Sequence, residues 1–87
     1  MGFMEKQTGI VALRNLKTDK VYLFFSHDIK KECVDMRFKL DLGMHPCKSL
    51  QSDYTTTGLE VFRFDTVELT EDEGRLDQIK GDFDLYL

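Results

Sequence analysis

Two β-branched and aromatic runs, Gly-Ile-Val-Ala-Leu-Arg at 9–14 and Lys-Val-Tyr-Leu-Phe-Phe at 20–25, flank the polar stretch Asn-Leu-Lys-Thr-Asp. That is the pattern of a β-hairpin. Both side-chain parities of each run are apolar: Ile10 and Ala12 alternate with Val11 and Leu13, and Val21, Leu23 and Phe25 alternate with Tyr22 and Phe24. Successive strand side chains point to opposite faces, so neither face of this sheet can be left to water. Whatever follows the hairpin must cover both sides.

From Asp28 the period changes. Ile29, Cys33, Met36 and Leu40 recur at helical spacing, with Val34 and Phe38 widening the stripe, which predicts an amphipathic helix over about 28–42. Ser26 or His27-Asp28 supplies its cap, and Gly43 suits the left-handed residue after its last turn. Pro46 fits the first turn of a second helix from Cys47 to about Thr55, where Leu50 and Tyr54 share a side, three threonines at 55–57 weaken the end and Gly58 closes the segment. A third strand is predicted over 61–67, with Phe62 and Phe64 on one face, and Thr70 and Glu73 have the spacing of a capping box opening a short helix. The last stretch, 81–87, alternates acidic and apolar residues and reads as either a fourth strand or an ordered tail. The order ββααβα implies an α+β fold: a small three-stranded antiparallel sheet flanked by helices. At 87 residues the chain, 1–87, is expected to be a single domain.

No apolar run approaches the ~20 residues of a membrane span, and the stretch 1–6 is short for a secretory leader. The expected setting is a reducing cytoplasm, with no membrane partner. Cys33 and Cys47 lie fourteen apart with no Cys-x-x-Cys, so they read as reduced thiols. His45-Pro46-Cys47 could be joined by His27 or Cys33 in a zinc site, but the two tight ligand pairs of structural zinc are missing and no metal is expected. The net charge of −4 divides unevenly: residues 1–50 hold nine Lys and Arg against six Asp and Glu, and residues 51–87 hold three against ten. An acidic chain argues against strong non-specific binding of nucleic acid unless the basic part forms its own face.

In order along the chain, Gly9-Ile10-Val11, the turn from Asn15, Lys20-Val21-Tyr22-Leu23-Phe24-Phe25-Ser26 and Asp28-Ile29-Lys30-Lys31-Glu32 resemble the successive motifs of the GIY-YIG endonuclease domain. Lys48 to Tyr54, Gly58 and Phe62-Arg63-Phe64-Asp65 are similar to that family's Leu-Gln-x-Asp-Trp, Gly and Phe-x-Phe-Glu pattern, and the likeness covers about residues 8–80. The resemblance implies the GIY-YIG-like fold. It also implies a cleft in which a first-motif tyrosine serves the nucleophilic water, a second tyrosine and a helix arginine support the phosphate, and a glutamate holds one divalent metal.

At those positions the chain departs from the family. Gly9 matches, but the first tyrosine is Val11, the glycine of the second motif is Phe24, the arginine is Glu32 and the histidine four residues on is Met36; Tyr22 alone among the chemical groups is kept. The metal-binding acid falls near Ile79 without gaps, or at Asp77 after a small shift. Tyr22 also admits a plainer reading, as a packed ring with its hydroxyl at the sheet edge. Phosphodiester cleavage needs positive groups and metal where charge develops. The expectation is therefore a GIY-YIG-like domain with a degenerate active site, a non-catalytic protein-interaction or nucleic-acid-binding module without cofactor, with a protein partner of unknown identity favoured. For nucleic acid the available cations are Lys30, Lys31, Arg37, Lys39 and Lys48. The alternative is a metal-dependent endonuclease of weak or atypical activity, using Tyr22, Asp77 and Mg or Mn.

Overall fold

A computed structural model describes residues 6–87; residues 1–5, on which most of the leader expectation falls, lie outside it. Strands β1 (Gly9–Asn15), β2 (Val21–Ser26) and β3 (Phe62–Leu69) form one antiparallel sheet in the order β2-β1-β3. Helices α1 (Ile29–Asp41) and α2 (Lys48–Thr57) stand between β2 and β3, and α3 (Gly74–Ile79) follows β3 and runs into a 3-10 turn at Lys80–Asp82. The α+β order ββααβα is thus the observed one. No helix among the described residues is long and apolar enough to cross a membrane.

The hairpin turn is organised by Asn15, whose side-chain oxygen accepts from the backbone N–H groups of Lys17 and Thr18 at 2.8 and 3.3 Å, while Asp19 takes a left-handed φ of 67°. Asn and Asp tolerate this geometry because their short polar side chains bond locally. Across the sheet, Val11 and Leu13 face Phe24 and Tyr22 on β2, and Leu13 faces Phe64 on β3. This face packs under α1 and α2 in a core that includes Ile29, Met36, Leu40, Leu50, Tyr54 and Phe62. Ile10, Ala12 and Val21, of the other parity, are equally buried. On that side α3 closes over the sheet, its Arg75 gripping Glu68 of β3 through two bonds of 2.8 Å.

Helix α1 starts where expected, with Asp28 as its cap accepting from the Lys31 N–H at 3.4 Å, and Gly43 takes a φ of 74° beyond its end. Its stripe is narrower than predicted. Ile29, Met36 and Leu40 are buried, but Val34 and Phe38 are 63% and 64% exposed. At 3.6 residues per turn Phe38 lies about 160° round the helix from both Met36 and Leu40, so it cannot join them against the sheet.

Three other boundaries move. Helix α2 begins at Lys48 with Cys47 as its cap, leaving Pro46 outside, and runs through the threonines to Thr57. Thr56 and Thr57 donate their hydroxyls to the carbonyls of Ser52 and Asp53 four residues back, at 2.9 and 2.7 Å, a back-bonding that satisfies the hydroxyls but does not strengthen the helix's last turn. Val61 belongs to a 3-10 turn, Leu59–Val61, so β3 opens at Phe62 and extends to Leu69. The capping box does not form: just past β3 the Thr70 N–H donates to the carbonyl of Thr8, the residue before β1, at 3.1 Å. Instead the Thr70 hydroxyl accepts from the Asp72 N–H and the Asp72 carboxylate from the Gly74 N–H, and α3 starts late.

The C-terminal stretch is a tail held by one parallel bridge: Val21 N–H donates to Asp84, and Tyr86 N–H donates back to Val21, each at 2.9 Å. Tyr86 is buried, and its hydroxyl takes the Asn15 amide and gives to the Asp53 carboxylate, both at 2.9 Å.

Candidate active-site cleft

The register of β1 on β2 places Val11 directly opposite Phe24 and Leu13 opposite Tyr22, so Val11, Tyr22 and Phe24 point to the same face, beneath α1. Val11 is 1% exposed, Phe24 7% and Met36 8%, all within one apolar cluster. The Phe24 ring stands edge-on to Phe64 with centroids 6.4 Å apart and lies tilted against Tyr22 at 6.2 Å. Val11 and Phe24 are thus cross-strand neighbours inside one apolar cluster.

Tyr22 sits at the margin of this cluster, half-buried, with the edge of His45 packed on its ring at 4.9 Å. Its hydroxyl makes no hydrogen bond among the described residues. Burial raises its pKa above the usual tyrosine value, and the charges of Cys47 and then Glu32 raise it further. Glu32 likewise lifts Cys33, whose pKa is raised first by burial. Glu32 is half-buried on α1 and acts on Tyr22 from there. Its carboxylate disfavours both the tyrosinate and any phosphate placed beside it.

Of the sequence candidates, the structure brings Val11, Tyr22, Phe24 and Met36 together between the sheet and α1, while Glu32 lines a groove with Lys31 and Lys39 and acts on Tyr22 through its charge. Gly9 opens β1 and is required by packing: a Cβ there would meet the Glu68 carbonyl oxygen at 2.2 Å. Asp77, on α3, has its side chain 80% exposed and paired with Lys80 at 3.2 Å, and it lines the same depression as Tyr22, Leu23 and Leu85. Ile79, the ungapped counterpart, is buried and apolar.

Lys6, Lys30 and Lys31 line one cleft with Asp28 and Asp35, and Lys30 shares a second with Arg37. Lys31 and Lys39 share a groove with Asp28, Glu32, Asp35 and Glu73, four carboxylates for two ammonium groups. Arg37 lies over the Phe64 ring, 5.9 Å from its centroid, and Lys48 is exposed at the start of α2. Lys30 is exposed near the start of α1.

A divalent metal fits the side chains present poorly. Among the described residues no group of three His, Cys, Asp or Glu side chains is arranged to hold an ion. The single acid at the matching place is an exposed aspartate already facing a lysine. His45, which the sequence offered as a zinc ligand, has another employment: its Nδ1 accepts from the Cys47 N–H at 3.0 Å, and its own N–H donates to Gln51 at 3.0 Å. Burial, then the charge of Lys39, lowers its pKa. Its place on Tyr22 escaped the sequence reading, as did the Asn15–Tyr86–Asp53 chain. The Pro between His45 and Cys47 and the solitary Asn at the end of β1 were the available signals.

No protein-family model matches the sequence, and no curated protein does. Solved structures do match. The catalytic domain of the homing endonuclease I-TevI superimposes with a TM-score of 0.76 at 20% identity, over 92% of this chain and 96% of that one. A mutant of the catalytic domain of the intron endonuclease I-TevI gives 0.75 at 26% identity, over 86% of this chain and 82% of that one. The fold is that of a GIY-YIG-like domain.

Proposed function

We propose that this GIY-YIG-like domain does not cleave nucleic acid and acts through contacts with protein. The observation that carries the reading is the Val11–Phe24 pair, which packs into the core, 1% and 7% exposed, where the resemblance calls for a tyrosine hydroxyl and an open glycine. Even a hydroxyl at position 11 would be walled off by the Phe24 ring from a water able to attack phosphorus. Glu32 adds negative charge beside Tyr22, where a scissile phosphate needs positive charge.

Protein contact is favoured over nucleic acid by what is exposed. The cations of the groove are outnumbered by carboxylates, whereas α1 turns Val34 and Phe38 outward. Apolar side chains grouped on a surface mark interaction sites more often than chance exposure. Purified protein incubated with supercoiled plasmid and with single-stranded DNA, in magnesium and in manganese, is expected to leave both intact. Cleavage that disappears in Tyr22→Phe would overturn the reading in favour of a weak metal-dependent nuclease. A gel shift that weakens steeply with added salt would move the partner from protein to nucleic acid.

A further inference from the structure

Among the described residues the outer side of α1 is left largely exposed. Ile29, Met36 and Leu40 serve the core from one side, and Val34, Phe38 and then Leu42 stand four residues apart on the other, 63%, 64% and 56% exposed. A helix with apolar stripes on opposite sides has one for its own sheet and one for another surface.

We propose that this outer stripe pairs two copies of the chain, α1 against α1, antiparallel, about a two-fold axis level with Met36. The proposal rests on the protein-contact reading and names the partner. Its ground is the charge pattern that borders the stripe. With the axis at residue 36, Val34 of one copy lies level with Phe38 of the other, so valine packs on phenylalanine twice. At ~1.5 Å rise per residue, Asp35 then stands within about 3 Å along the axis of Lys39 of the second copy, on the same side of the seam. The two-fold repeats that pair. Neither Asp35 nor Lys39 forms an ion pair among the described residues. A parallel arrangement would set Asp35 against Asp35 and Lys39 against Lys39, which opposes it. Arg37, on the other side of the stripe, is drawn over Phe64 at 5.9 Å and stays out of the seam. An isologous contact of this kind needs self-complementarity, and the stripe has it.

The α1 seam is short, 13 residues, or ~20 Å of helix, so the association sits at the small end of specific interfaces and is expected at tens of micromolar. Sedimentation equilibrium over about 5–500 µM should show the 10.2 kDa chain rising toward twice that mass. Phe38→Glu, at an exposed site, should weaken the dimer about 100-fold or abolish it, with circular dichroism unchanged. Asp35→Lys alone should weaken it about tenfold at low salt, and Asp35→Lys with Lys39→Asp should recover it. A monomer at every concentration overturns the proposal. So does a dimer indifferent to Phe38→Glu, and so does a double charge reversal that fails to rescue, which would leave α1 to a different protein. None of these results bears on cleavage, which the plasmid assay reads independently.

Discussion

Val11 of β1 and Phe24 of β2 are cross-strand neighbours, and their side chains meet in the apolar cluster under α1. The pair is directly coupled: the residue that lacks a hydroxyl and the residue that closes the space beside it occupy one packing site.

That coupling is measurable. Val11→Tyr alone inserts a ring into filled space and should destabilise by about 1–3 kcal/mol. Phe24→Ala alone leaves a cavity and should cost about 3–5 kcal/mol. The double variant should be more stable than the sum of the two losses by at least about 1 kcal/mol, because the tyrosine occupies the vacated volume. Urea unfolding of the four proteins gives the cycle, and simple additivity would show that the two sites are packed separately.

Gly9→Ala should be among the most damaging small substitutions. Its Cβ would lie 2.2 Å from the Glu68 carbonyl oxygen, a backbone atom that cannot swing aside, where the β1–β3 register shifts between Ile10 and Val11. The expected loss is about 3 kcal/mol or more, and a thermal melt within a degree or two of the parent would contradict the packing.

The tail is held by Tyr86. Tyr86→Phe removes the hydroxyl that receives the amide of Asn15, a residue 1% exposed, and leaves that donor buried without a partner. The cost should be about 1–3 kcal/mol. Asn15→Ala in the same background should add less than it does alone, since the partners are then both gone; equilibrium unfolding measures the difference.

Alkaline pH should loosen the contact between α1 and α2. The Tyr54 hydroxyl donates to Asp41 at 2.5 Å, and burial together with that carboxylate pushes its pKa up to about 12. A tyrosine whose pKa is raised on folding holds its proton longer in the native state, so its stabilisation is complete below about pH 10 and is lost as the pH climbs toward 12. Tyr22 and Tyr86 are shifted upward as well and act in the same direction. The fall of stability between pH 10 and 12 should be shallower in Tyr54→Phe than in the parent protein.

The fold was legible because its cues are local. The period-2 runs, the change of period at Asp28 and the turn glycines at 43 and 58 each fix a segment without knowledge of the rest. What escaped depended on the assembled molecule. Val34 and Phe38 are spaced like core residues but face away, since only the placement of the sheet decides which apolar stripe of α1 is used. The capping box at Thr70 lost to a backbone hydrogen bond with Thr8 that no local pattern encodes. In the cleft, the ordered motifs pointed to Val11, Tyr22, Phe24, Glu32 and Met36, whereas the ring of His45 on Tyr22 and the reach of Tyr86 to Asn15 arise from segments distant in the chain.

Glu32 is where the proposed absence of phosphate chemistry can be tested against the geometry. It is half-buried on α1, raises the pKa of Tyr22 and Cys33, and shares a groove with Lys31 and Lys39. Glu32→Arg replaces the carboxylate with a guanidinium, so the groove's four carboxylates and two ammonium groups become three anions and three cations. Tyr22 should then ionise at lower pH than in the parent, seen in the ultraviolet titration, because a repelling charge becomes an attracting one. Affinity for oligonucleotides should rise and become salt-dependent by about one counterion in the logarithmic slope, without restoring cleavage, since Val11 still offers no hydroxyl. A titration shift with unchanged affinity would mean that Glu32 borders Tyr22 but no groove there admits a phosphate.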